Sequence, residues 1–284
     1  MLEQFIKNRI IANLSFVPNE GQHELLDKLS RFVVSSDRQK AFILLGYAGT
    51  GKTSIIAALV QAYKELQQKI VLLAPTGRAA KVISRYASTP AYTIHKYIYR
   101  QKQLGEAVFT LNDNLHKNTL FIVDEASMIS GVRDNTMFGS GTLLDDLVKY
   151  VYSGEGCSML LLGDDAQLPP VGSLISPALQ SDYMQKYGLN VTCSILTEVA
   201  RQAMDSGILR NASKIRPVAL GEGQIPHSTW DLLQESSDFI HITGAEVSEK
   251  LEQSYNEVGV EEVMLLTRTN KRTNIYNQGI RTRI

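Results

Sequence analysis

Four short runs almost free of internal polar residues, AFILLG, KIVLLAP, TLFIVDEA and SMLLLGD, constrain this chain more than anything else in it. A strand with one wet face alternates apolar and polar residues, whereas an uninterrupted apolar run fits a strand buried on both faces of a parallel sheet. Helix-like stretches separate the four runs, so the order predicts a doubly wound α/β domain with a mostly parallel sheet flanked by helices. Ahead of them, Leu2, Phe5, Ile6, Ile10 and Leu14 recur at helical spacing, and NEGQHELLDKLSRFV reads as a second amphipathic helix.

The first run leads directly into GYAGTGKTS, Gly46 to Ser54, which matches G-x-x-x-x-G-K-[ST]. Gly46, Gly49 and Gly51 let backbone N–H groups converge on phosphate oxygens, and the helix after the loop adds its positive N-terminal end. With them, Ala48, Thr50, Lys52, Thr53 and Ser54 form the expected nucleotide-binding loop, Lys52 reaching the β/γ-phosphates and Thr53 ligating Mg²⁺. The third run delivers Asp124 at its C-terminal edge, where a carboxylate can sit beside Mg²⁺, and Glu125 next to it can orient and deprotonate a water. ATP hydrolysis is therefore expected, with ATP and Mg²⁺ as the cofactors. The fourth run ends in GDDAQLPPVG, where Gln167 offers an uncharged group for a γ-phosphate and a neighbouring element, and Pro169 and Pro170 stiffen the chain beyond it.

Taken together, GYAGTGKT, APTGRAAK, DEASM, GDDAQLPPVG and LTEVARQ resemble motifs I, Ia, II, III and IV of superfamily 1 DNA helicases. The wording of DEASM and GDDAQLPPVG is similar to the RecD/Dda-like branch that moves 5′ to 3′. The resemblance covers roughly residues 15 to 284. It implies a RecA-like P-loop NTPase domain with a small β-hairpin insertion, and DNA translocation driven by ATP. It further implies that Gln22 of NEGQ reads the adenine edge, that Pro75, Thr76, Gly77 and Arg78 touch single-stranded DNA, and that Arg201 neutralises charge on the γ-phosphate.

TIHK resembles the family's next DNA-contacting motif, which makes His95 a further candidate for DNA contact, although a lone histidine is more often structural. RQKQLGEAVFTLND reads as a hairpin turning near Gly105, in the position where this branch carries a strand-separating pin, with Phe109 available to stack against bases. A plain surface hairpin is the other reading. The polar DNTMFGSGT is expected to be a mobile loop.

Residues 1–220 are expected to form the motor domain, with the insertion at about 91–117. Residues 221–284 would form a linker and the opening of a second RecA-like domain, where DFIHIT and EEVMLLTRT read as strands and NKRTNIYNQGI as a helix. Motifs V and VI of the family are not found, so the chain is expected to be a fragment that binds nucleotide, hydrolyses it poorly and does not unwind DNA alone.

Lys+Arg 29 against Asp+Glu 29 gives no net charge, so any surface for nucleic acid must be local and RNA is not ranked below DNA. Cys157 and Cys193 lack CxxC spacing and no secretory leader is visible, which suits a reduced cytoplasmic protein. No apolar run approaches the ~20 residues that cross a bilayer. The expected function is an ATP-dependent DNA helicase, with single-stranded DNA as partner and a nuclease or recombination complex, of the exonuclease V alpha-subunit kind, as a possible setting. The alternatives are an RNA-directed helicase and a nucleotide-gated nucleic-acid switch. Oligomeric state has no visible signature.

Overall fold

The computed structural model describes residues 1–101, 109–133, 138–170, 172–173, 175–198, 206–221, 233–260 and 262–282. It divides into two compact units, Met1–Gln234 and Glu235–Ile284.

In the first unit, two helices, α1 (Leu2–Ala12) and α2 (Glu20–Val34), precede β1 (Lys40–Gly46) and α3 (Lys52–Glu65). Next come β2 (Lys69–Ala74), α4 (Gly77–Ala87), β3 (Ala91–Thr93), α5 (Ile94–Ile98), the short strands β4 (Tyr99–Gln101) and β5 (Phe109–Leu111), and β6 (Thr119–Val123). The unit continues through α6 (Leu143–Ser153), β7 (Ser158–Gly163), α7 (Ser181–Gln185), β8 (Asn190–Leu196) and α8 (Gly207–Ala219). Six strands form one sheet in the order β3-β2-β6-β7-β1-β8, and every pairing in it is parallel.

The four apolar runs are the four central strands, and their side chains explain why no polar residue interrupts them. In β1, Phe42 and Leu44 enter the core beneath α2 and α3, while Ala41 and Ile43 enter the opposite core under α6. Leu72 against Val71 and Leu73, Ile122 against Phe121 and Val123, and Leu160 against Met159 and Leu161 split in the same way. The period-two geometry of a strand thus feeds two hydrophobic layers from one segment.

The expected hairpin forms as an antiparallel β4–β5 pair in register Tyr99↔Leu111 and Gln101↔Phe109. The turn near Gly105 lies outside the described residues. So do residues 134–137 of the expected mobile loop, but the rest of that loop is packed. Gly139 N–H donates to the Phe109 carbonyl at 2.8 Å, and Phe138 stacks on Phe109 with ring centres 4.5 Å apart.

The second unit contains α9 (Val247–Val258) and α10 (Asn270–Arg281), the latter where NKRTNIYNQGI reads as a helix. DFIHIT and EEVMLLTRT do not form the expected strands. Among their described residues the only pairing is an isolated Ser236↔Phe239 bridge, and Ile240, Ile242, Met264 and Leu266 are exposed. A segment with strand-like alternation needs a neighbouring ladder to become a strand, and these have none in the unit as described.

Candidate active site

The parallel sheet brings the C-terminal ends of β1, β2, β6 and β7 to one edge, the position where open α/β sheets bind ligands. β1 runs into the glycine loop, whose backbone takes the left-handed conformation at Gly49 (φ 76°) and at Gly51 (φ 89°), the cap of α3. Side-chain-bearing residues avoid this region, and at Gly51 a Cβ would also lie 2.9 Å from the Gln22 amide nitrogen. The loop is braced from within and from the end of β8. Thr50, fully buried, donates its hydroxyl to the Tyr47 carbonyl at 2.8 Å, and Tyr47 N–H donates to the Leu196 carbonyl at 3.1 Å.

Lys52 Nζ donates to the Gly46 carbonyl and, at 3.0 Å, to the Tyr47 carbonyl. Its ammonium therefore lies inside the curl of the loop, on acceptors that a phosphate oxygen can replace. Burial lowers its pKa, opposed by the carboxylates of Asp164, Glu125 and Asp124. Thr53 and Ser54 lie in the first turn of α3, and Ala48 sits in the loop.

At the end of β6, Asp124 N–H closes onto the Leu73 carbonyl at 2.9 Å, and Asp124 Oδ1 accepts from Glu125 N–H at 3.0 Å. Glu125 has φ 53°, left-handed for a residue with a side chain, a conformation that costs roughly 1–2 kcal/mol and is characteristic of functional turns. Burial raises both carboxyls above their ordinary range; the Asp124 charge raises Glu125 further, while Lys52 draws both down.

Asp124, Glu125 and Gln167 line one cleft of about 400 Å³ together with Thr76 and Arg78 from the start of α4. Thr76 caps that helix by accepting from Ala79 N–H at 3.2 Å. Residues expected at the phosphates and residues expected at single-stranded DNA thus face a common space. Pro75 and Gly77 flank Thr76 at the same strand end.

Three expected residues stand elsewhere. Gln22 is 2% exposed and does not present its amide outward: Oε1 accepts from Asn19 N–H at 3.0 Å and Nε2 donates to the Thr50 carbonyl at 2.9 Å. His95 packs edge-on to Phe138 and against Tyr99, with burial lowering its pKa. Phe109 has one ring face covered by Phe138, so it anchors the base of the hairpin. Arg201 lies outside the described residues.

Sequence reasoning missed two residues that reach the site. Asn19 caps α2 and donates through Nδ2 to Glu198 of LTEV at 2.8 Å, tying the segment after β8 to the glycine loop through Gln22. The spacing Asn19-x-x-Gln22 is a capping box, a signal present in the sequence. Arg216 on α8 reaches Asp164 and Tyr47, and nothing in its local sequence distinguishes it from a solvated helical arginine.

A glycine loop between a buried strand and a helix, with an acidic strand end beside it, is the working part of a P-loop NTPase. An AAA-domain family model matches residues 18–242, and the chain belongs to that family. The ATP-dependent RecD2 DNA helicase of Deinococcus radiodurans is 28% identical over 203 residues, covering 68% of this chain and 23% of that protein, in keeping with the RecD-like helicase resemblance. An uncharacterized protein of Methanocaldococcus jannaschii is 33% identical over 171 residues, 55% of this chain and 14% of that protein. The chain thus spans less than a quarter of either relative. Among solved structures, the Pif1 helicase from Candida albicans aligns with a TM-score of 0.49 at 17% identity, over 92% of this chain and 61% of that one. No described helix is long and apolar enough to cross a membrane.

Proposed function

We propose that this chain is the nucleotide-hydrolysing motor domain of an ATP-dependent DNA helicase that travels 5′ to 3′ on single-stranded DNA. The observation that carries this reading is the shared cleft, in which Thr76 and Arg78 face the same space as Asp124, Glu125 and Gln167. A change at the phosphates can then move the groups that hold DNA, and a ligand shifts an equilibrium only through such differential contact.

The residues fit the groups they would hold. Positive-φ glycines and a converging lysine suit a triphosphate, and the Thr53 hydroxyl with the Asp124 carboxylate is an oxygen donor pair of the kind Mg²⁺ takes alongside phosphates and water. Bound there, Mg²⁺ would neutralise charge on the phosphate oxygens. Lys52 would bind the β/γ-phosphates. Glu125 would accept the proton of the attacking water, a role suited to a carboxyl raised by burial. Gln167 and Arg201 would sense the γ-phosphate, and Pro75, Thr76, Gly77 and Arg78 would grip the DNA backbone with a hydroxyl, free N–H groups and a guanidinium.

In this reading residues 1–220 are the motor, with the β4–β5 insertion as its pin, and residues 221–284 lead into a second RecA-like domain. The setting is cytoplasmic DNA repair or recombination, alongside a nuclease partner. Strand displacement by the whole protein on duplexes with a 5′ or a 3′ tail tests the proposal. ATP-dependent unwinding of the 5′-tailed duplex, absent in Lys52→Ala, is expected. ATP-timed release of single strands without unwinding would make the chain a switch instead.

A further inference from the structure

Arg216 makes a two-pronged ion pair with Asp164 beside the glycine loop. Its two terminal nitrogens donate to Asp164 Oδ1 at 2.9 Å and Oδ2 at 2.8 Å, with the Asp164 side chain 1% and the Arg216 side chain 15% exposed. The same guanidinium lies 3.7 Å from the ring centre of Tyr47 and 3.7 Å from the Asp165 carboxylate. One side chain on α8 therefore joins the loop after β1 to the loop after β7. Asp164 is committed further by the Ala166 N–H, which donates to Oδ1 at 3.0 Å.

Asp164 has a second cation within its field. Asp164, like Glu125 and Asp124, holds the Lys52 pKa up against burial, while the Arg216 charge acts the other way. A buried carboxylate does not stay unpaired. Were Arg216 absent, Lys52 is the cation among the described residues of the loop that could answer it, and an ammonium drawn to Asp164 is withdrawn from the mouth of the loop. A planar guanidinium suits the opposite task, since its fork covers both carboxylate oxygens while its face lies on an aromatic ring.

We propose that Arg216 is a positioning residue for nucleotide binding: it occupies both oxygens of Asp164 and packs on Tyr47, and so leaves the Lys52 ammonium for the phosphates. The proposal rests on the reading of this loop as an ATP site. It assigns Asp164 a role as well, that of a buried anchor that holds α8 to the end of β7, so that Arg216 can lie on Tyr47, and that must be kept from Lys52.

The test is equilibrium titration of a fluorescent ATP analogue into the whole protein, reading both Kd and binding stoichiometry. Arg216→Gln is expected to raise Kd about tenfold or more with stoichiometry retained. Adding Asp164→Asn to it is expected to restore most of that loss, because a neutral amide no longer competes for Lys52. Arg216→Lys, which keeps the charge without the fork, is expected to raise Kd too and carries the test if Arg216→Gln does not fold. Stoichiometry falling at unchanged Kd would show mere loss of folded protein and overturn the proposal, as would an unchanged Kd in Arg216→Lys or no recovery in the double variant. If the wild-type protein shows no binding that Lys52→Ala abolishes, the ATP reading itself fails and this inference falls with it.

Discussion

The Gln22 side chain bridges two backbones, donating to the Thr50 carbonyl at 2.9 Å and accepting from Asn19 N–H at 3.0 Å while only 2% exposed. Gln22→Ala leaves the buried Thr50 carbonyl and the part-buried Asn19 N–H unpaired, at a cost of about 1–3 kcal/mol. Urea unfolding should show that loss, and affinity for ATP and GTP should fall together because the loop, not the base, is disturbed. A loss confined to adenine nucleotides would mean that the amide turns outward to read the base.

Glu125 sits in a half-buried, acidic turn that raises its pKa, first through burial and then through Asp124. A raised carboxyl contributes stability that is complete below its unfolded value, near 4.5, and lost as pH rises through the folded value. At pH 7 the charged side chain therefore weakens the fold. Glu125→Gln should be more stable than wild type at pH 7, with the gain shrinking toward pH 4.5, and should lose hydrolysis by roughly 10²–10⁴-fold while keeping nucleotide. Thermal melts at the two pH values and a single-turnover assay check both halves. Equal stability at pH 7 would contradict the electrostatic account.

Asp146, 4% exposed on α6, accepts from the Tyr99 hydroxyl at 2.7 Å and from Ser140 N–H at 2.9 Å. The pair pins β4 and the segment beyond Phe138 to the core. Tyr99→Phe removes one donor from a buried carboxylate and should cost about 1–3 kcal/mol in chemical denaturation. Asp146→Asn in the same background should recover part of that cost. No change in the unfolding midpoint would show that the carboxylate is otherwise satisfied.

Arg78 and Phe109 should separate cleanly in a DNA-binding titration. Arg78→Ala should weaken single-stranded DNA binding and reduce the salt slope by about one, the signature of a lost phosphate contact. Phe109→Ala should leave that affinity unchanged and instead lose the ~0.5–1.5 kcal/mol of a stacked aromatic pair. Fluorescence anisotropy over a salt series decides; weakened binding in Phe109→Ala would return the ring to the DNA.

The parts of this fold that the sequence announces are those fixed by local pattern. Burial on both faces makes β1, β2, β6 and β7 visible as apolar runs, and glycines at positive φ make the loop visible as a motif. Strand β8 escapes notice because an edge strand reading NVTCSIL has only Ser194 and Leu196 buried and no clean alternation. Ile240, Ile242, Met264 and Leu266 mislead in the other direction, since their alternation suggests strands that no neighbour among the described residues completes. Arg216 is set in place by tertiary packing alone, which no spacing reveals. Gln22 shows the converse: its capping box is legible, but a motif resemblance directs attention to the base instead of the backbone.

Coupling between hydrolysis and DNA is the central claim. The most direct measurement is steady-state ATP hydrolysis by the whole protein with and without single-stranded DNA, with Lys52→Ala as control. Hydrolysis that single-stranded DNA stimulates and Lys52→Ala abolishes is the predicted result. A Lys52-dependent ATPase indifferent to single-stranded DNA would contradict the claim that the shared cleft of Thr76, Arg78, Glu125 and Gln167 links fuel to track.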